Sequence, residues 1–285
     1  MKRRLLGTVA LPALLAGPAM AADLPVKARP LPPPAVYDWT GFYAGLNLGG
    51  AWARSDATTT PSCMLLPPFV AYFCFPTGGQ ANAAAIAAAG TGSMSGSAFT
   101  GGGQIGHNWQ NGSIVYGGEL DLESFHIRAA RQVSANYPVQ FGLVNPTRTF
   151  TIASAVSTDW LFTARGRVGW AFGNVLAYAT GGLALTNLGA TNSFIDNVIL
   201  VANGGPGAGT WANSTTKVGW TVGGGVEWAW SRDWTVKAEY LYLNFGSVAA
   251  TGTIFSSVVP GYANAISTST DLTASVARVG VNRRF

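Results

Sequence analysis

The chain has 285 residues, a formal net charge of +5, 48% hydrophobic residues and only 10% charged ones, where ordinary soluble domains carry about 25%. That balance excludes a disordered chain and fits poorly with a water-facing globule. After the first twenty-odd residues no apolar run reaches the roughly 18 residues a spanning helix needs, so a chain this apolar, with 37 glycines, is suited to cross a membrane only as a β-barrel.

Residues 1–21 read as a secretory signal peptide. Lys2, Arg3 and Arg4 form the charged start, Leu5 to Leu15 the apolar core, and Ala19-Met20-Ala21 the small-residue site. Cleavage is expected between Ala21 and Ala22. Without those three cations the formal charge falls from +5 to +2, so the basic balance does not argue for a nucleic-acid partner. Residues 22–38 contain Pro25, Pro30, Pro32, Pro33 and Pro34, a composition that favours an extended periplasmic tether without a core.

From residue 39 to 285 the pattern changes to period-two alternation, the mark of strands with two different faces. Eight strands are expected, at about residues 40–53, 98–109, 113–126, 158–172, 175–187, 215–230, 234–246 and at the C-terminus. Each is long enough for a tilted strand to cross the bilayer, which takes about 9–11 residues. Phe42, Leu46 and Leu48 share one face of the first, and Trp220, Val222, Val226 and Trp228 share one face of the sixth. Asn111-Gly112, Gly173-Asn174 and Ser231-Arg232-Asp233 supply tight turns. The other connections are long, which places four long loops outside the cell and both termini in the periplasm. The fold expected is an all-β, eight-stranded antiparallel up-and-down transmembrane barrel.

The last residues alternate back from Phe285 through Val281, Val279 and Ala277, with Arg284, Asn282 and Arg278 on the other face. The mature start runs Ala22-Asp23-Leu24-Pro25-Val26-Lys27, then Tyr37-Asp38-Trp39-Thr40-Gly41-Phe42-Tyr43. In these two ends the chain resembles the small outer-membrane barrels of α-proteobacteria, the Omp25/Omp31-like porin family. It departs from them at Arg283, where the family usually has an aromatic residue. The resemblance implies a Gram-negative outer-membrane location and an assembly signal at Phe285 read by the barrel assembly machinery. It also brings haemin binding at exposed loops, as in some relatives. The surroundings expected are outer-membrane lipids and lipopolysaccharide, and nothing in the sequence sets an oligomeric state.

Alternation also assigns the charges. Glu119, Asp121, Glu123, Arg165, Arg167, Lys217, Glu227, Lys237, Glu239, Arg278 and Arg284 all fall on the inward parity. A cation facing lipid at the midplane would cost about 2–4 kcal/mol. An eight-stranded barrel has an interior just filled by side chains, so these ions should be paired inside it. If Trp230 opposes Trp234 across its turn, Glu227 opposes Lys237. The three acids of the third strand should meet Arg165 and Arg167, and Glu239 should lie near Arg278. Such an interior is either a narrow charged pore or a polar plug, and the filled interior favours the plug.

Cys63 and Cys74, in the first long loop, are the two cysteines of the chain. In an oxidising envelope they are expected to form a disulfide. The segment between them is apolar, a character that marks an interaction site or a fold back onto the rim. Ala81–Ala89 reads as a short helix or as an unstructured stretch. Ser124 and His126 share the outward parity, but Glu123 faces the other way and cannot orient the imidazole as a triad acid would. His107 lies near the periplasmic end of its strand as an interfacial residue. No catalytic, metal or cofactor signature appears. The function expected is structural, supporting the envelope and displaying surface loops, with a small-solute channel and surface haemin binding as the alternatives.

Overall fold

The computed structural model describes residues 37–63, 72, 74, 79–139, 147–198, 206–257 and 261–285. The signal peptide, with Ala21 and Ala22, and nearly all of the tether lie outside these residues. Among the described residues ten strands occur: β1 Gly41–Pro61, β2 Gly92–Asn111, β3 Ile114–Phe125, β4 Arg128–Asn136, β5 Thr149–Ser157, β6 Trp160–Phe172, β7 Val175–Asp196, β8 Gly207–Ala229, β9 Trp234–Ser256 and β10 Ala263–Arg284. One helix, α1 Gly79–Gly90, covers the alanine-rich stretch.

Eight of the strands close into a ring in the order β1, β2, β3, β6, β7, β8, β9, β10, with β10 pairing antiparallel to β1. β4 and β5 pair with each other as a hairpin that carries β3 and β6 onward, and β5 continues the wall against β7. Asn111-Gly112 forms a tight turn in which Gly112 takes a φ of +60°, a conformation glycine adopts without steric cost.

The strands run well beyond the expected bounds. β1, β7, β8, β9 and β10 have 21 to 23 residues each, about twice what a bilayer crossing needs. Much of what the sequence reads as long loops is therefore barrel wall standing outside the membrane. The alternation there is carried by Ala51, Ala53, Ser55 and Ala57 inside, opposite Arg54, Asp56 and Thr58 outside. Small residues on the buried face leave little hydrophobic contrast to read. In β9 the pattern also changes phase. Phe245 and Val248 are both buried, and between them Gly246 sits at φ +64° where the β9–β10 register slips between Asp271 and Thr273. This is a β-bulge, one extra residue that flips the parity of everything beyond it.

The interior is filled in layers. At the periplasmic end Trp39 is fully buried against Val115, Ala171, Leu176, Tyr178 and Ala229. The charged layer comes next. Above it lies an apolar layer that includes Phe125, Ile127, Leu188, Leu241, Leu243, Phe245, Val248 and Leu272. An outer layer packs Ile86 of α1 with Tyr72, Tyr137, Phe150, Ile152, Phe194 and Trp211.

Two charges expected inside lie elsewhere. Lys217 is half-buried, and residues 212–216 of β8 are exposed on both faces, because the β8–β9 ladder is interrupted between Ala208 and Trp220 and the wall parts there. Arg284 sits at the lower rim, where it donates to the Thr40 carbonyl at 2.7 Å and stacks over the Tyr37 ring at 4.8 Å.

Candidate functional site

The register of the ring brings the remaining charges into one layer. Glu119 pairs with Arg165 across β3 and β6, Glu227 with Lys237 across β8 and β9, and Glu239 with Arg278 across β9 and β10. Because side chains alternate along each strand, all of these point into the lumen. There Glu119, Asp121, Glu123, Arg165, Arg167, Glu227, Lys237, Glu239 and Arg278 are each no more than 5% exposed.

Contacts inside the layer cross the barrel and are not confined to neighbouring strands. Glu119 accepts from Arg165 Nη2 at 2.5 Å, from Lys237 Nζ at 2.8 Å on both oxygens, and from the Tyr43 hydroxyl at 2.8 Å. Lys237 thus opposes Glu227 in register, yet sends its ammonium to Glu119. Asp121 accepts from Thr163, from Arg165 Nη2 at 2.9 Å and from Arg278 Nη2 at 2.7 Å. Glu239 accepts from Arg165 Nη1, from the Tyr178 hydroxyl and from Arg278. Glu227 takes Arg167 Nη2 at 2.7 Å, Thr235 and Asn282. Glu123 does not reach Arg165 or Arg167; it accepts from Thr100 and pairs with Arg278.

Five carboxylates (Glu119, Asp121, Glu123, Glu227, Glu239) therefore meet four cations (Arg165, Arg167, Lys237, Arg278). Burying ions is costly unless geometry and hydrogen bonds compensate. Forked guanidiniums spanning several acids provide that compensation, since each arginine offers five donors in one plane. Tyr43 extends the mesh by accepting from Arg167 Nη1 at 2.9 Å while it donates to Glu119.

Below the ions, Trp39 closes the periplasmic mouth. Its indole N–H donates to the Gly173 carbonyl at 3.3 Å and its backbone N–H to Gln110 Oε1 at 2.7 Å. Alternation does not find this residue, because it precedes the first strand; its place in the aromatic run Tyr37–Tyr43 was the available signal. At the far end Cys63 and Cys74 are joined in a disulfide. Tyr72, just before Cys74, and Tyr137 both donate to Asp196, at 2.9 and 2.7 Å. The backbone N–H groups of Gly207 and Val198 bind the same carboxylate. Burial pushes the Asp196 pKa above its usual value, and burial beside that acid pushes both phenols up.

The other singled-out residues sit on the wall. Ser124 Oγ and His126 Nδ1 lie 2.9 Å apart on the outer face, while Glu123 turns inward to Arg278. His107 packs between Phe42 and Trp109, with ring centroids 4.3 Å from each, in the lower aromatic belt. Phe285 is exposed; its N–H donates to the Phe42 carbonyl at 3.0 Å, and Arg283 lies over its ring.

Comparison with known proteins agrees with this architecture. The family model for the outer membrane protein beta-barrel domain matches residues 9–285. The 31 kDa outer-membrane immunogenic protein of Brucella melitensis is 30% identical over 251 residues, covering 86% of this chain and 88% of the relative. The 22 kDa outer membrane protein of Rhizobium leguminosarum is 31% identical over 148 residues, covering 51% and 53% of the two chains. Among solved structures, the Pseudomonas aeruginosa outer membrane protein OprG overlays with a TM-score of 0.37 at 10% identity, covering 87% of this chain and 98% of that one. With the closed eight-stranded ring, the family match over residues 9–285 and the Brucella relative covered over most of its length, this chain belongs to the outer membrane protein β-barrel family and resides in the Gram-negative outer membrane.

Proposed function

We propose that this protein is a closed structural barrel that braces the outer membrane and holds a stiff wall and loop surface outside the cell. The observation that carries the reading is the filled lumen. Side chains of Asp121, Arg165, Lys237, Glu239 and Arg278 are 0% exposed, with a buried tryptophan below them and an apolar layer above. An ion crossing that layer would have to break several charge-assisted hydrogen bonds at once, each stronger than an ordinary one. Surface display is supported by the strands that rise past the bilayer and by relatives named as outer-membrane immunogenic proteins. Ser124 and His126 are given no catalytic part, because among the described residues the adjacent acid, Glu123, turns inward to Arg278.

Single-channel recording of the purified protein in planar bilayers tests it. The expected record is a quiet baseline. Stable, frequent openings would replace this reading with that of a small-solute channel.

A further inference from the structure

On its membrane-facing side the barrel has a place where two exposed arginines stand over an apolar groove. In β1 and β2, Trp52 opposes Ser97 and Arg54 opposes Ser95. Gly96 of β2 lies against the backbone of Arg128 in β4. Arg54, Ser95, Ser97 and Arg128 are therefore neighbours across three strands, and all of them face outward. Arg54 has a 68% exposed side chain that leans on Asp56 at 3.5 Å. Arg128 is exposed, and its side chain makes no hydrogen bond or ion pair among the described residues.

Just below, a groove of about 420 Å³ runs between Trp52 and Phe99, floored by Gly50, Ala51 and Ala98 and edged by Ser97. Phe99 is 90% exposed and Trp52 54% exposed. The Trp52 ring folds back over Gly50, within 3.3 Å of where a β-carbon would stand. These two aromatics belong to the upper belt with Trp220 and Tyr242, the level at which acyl chains give way to headgroups. The arginines are one step further out, at headgroup height.

We propose that this face binds the phosphorylated, multi-acyl glycolipid of the outer leaflet, lipid A. One acyl chain lies in the groove between Trp52 and Phe99, and a phosphate rests between Arg54 and Arg128 with the Ser97 hydroxyl as a further donor. Charge complementarity selects the headgroup. Guanidinium forks match phosphate oxygens, and Arg128 has no internal acid to satisfy it. Asp271 of β10 and Asp56, beyond Arg54 on β1, are both exposed; they repel a phosphate on that side and direct it towards Arg128 of β4. The flat floor selects the tail, since any larger residue at Gly50 would fill the groove beneath the Trp52 ring.

The test is lipid retention by the folded protein. Wild type, Arg54→Gln/Arg128→Gln, Phe99→Ala and Lys217→Gln are loaded with bis-phosphorylated lipid A, washed in detergent and weighed by native mass spectrometry. Heat-modified gel migration confirms that each variant is folded. About one lipid A per barrel is expected on the wild type and on Lys217→Gln, whose cation lies on β8 away from the groove. Retention should fall at least tenfold in the double arginine variant and measurably in Phe99→Ala. Undiminished retention by the double variant would overturn the proposal. So would equal retention of phosphatidylglycerol by the wild type, which would make the patch a general anionic surface.

Discussion

Arg278 of β10 and Glu239 of β9 face each other in register, and both Nε and Nη2 of the arginine reach the same carboxylate oxygen, at 2.8 and 2.5 Å. Arg278 also holds Asp121 at 2.7 Å and pairs with Glu123. Removing it would take a cation from four buried acids, Glu119 at 3.6 Å being the fourth. Arg278→Gln should therefore cost about 3–5 kcal/mol, read as a lower denaturant midpoint in detergent micelles. Arg278→Lys should fall between, because an ammonium cannot fork to several acids. The lipid-facing neighbour Val279 supplies the control: if Val279→Ala costs as much as Arg278→Gln, the network is not what holds the barrel.

The surplus acid of the layer can be located by substitution. Lys237 has Glu119 as its hydrogen-bonded acid, so Glu119→Gln strands a buried ammonium and should cost about 3 kcal/mol or more. Glu123→Gln behaves differently. Arg278 keeps Glu239 and Asp121, Thr100 keeps an acceptor, and the balance becomes four against four. Its unfolding midpoint should equal or exceed that of wild type. A loss as large as that of Glu119→Gln would show that Glu123 is needed as an anion.

Inside the bilayer, structure was legible in the sequence because the physics there is stark. A lipid face tolerates almost no charge, so the alternation of Trp220, Val222 and Val226 with Thr221 and Glu227 reads both strand and direction. Register came through where a tight turn fixed it, as for Glu227 and Lys237. Which acid each cation chooses did not, because in a narrow lumen a long side chain reaches across to another strand, as Lys237 does to Glu119. Outside the bilayer the solvent permits polar residues on the outer face, and small ones suffice inside. The strand extensions, the bulge at Gly246 and the parted wall beside Lys217 leave no comparable trace. Trp39 was legible only as part of an aromatic cluster, since a plug obeys no periodicity.

The disulfide belongs to the outer cap and not to the membrane barrel. Asn264 of β10 accepts from the Tyr72 N–H at 2.5 Å and donates to the Ser62 carbonyl at 2.7 Å, so the bridged loop is sewn to the wall. A cross-link closing a loop of this size is worth about 3 kcal/mol in the chain-entropy account. Cys63→Ser/Cys74→Ser should speed hydrogen exchange in α1 and around residues 262–266, and leave β3 residues 114–125 unchanged. Equal exchange in the cap with and without the bridge would assign the stability of the cap to packing alone.

Asp196 gives the cap a pH dependence whose sign follows from its surroundings. Burial is the first cause of its shift and raises the pKa; the hydrogen bonds from Tyr137, Gly207, Val198 and Tyr72 oppose that without overcoming it. The folded cap thus holds this proton to higher pH than the unfolded chain does, and ∂ΔG/∂pH is negative wherever the folded state binds more protons. The contribution is full below the unfolded carboxyl pKa of about 3.9 and is lost as pH rises through the raised folded value. Unfolding midpoints of wild type and Asp196→Asn, taken in parallel from about pH 3 to pH 8, isolate the effect of this one group. The wild type should stand highest relative to the variant at the acid end, decline through the titration window and run level with constant offset near neutrality. A difference that grows with pH would mean that the four donors outweigh burial and hold Asp196 as an anion.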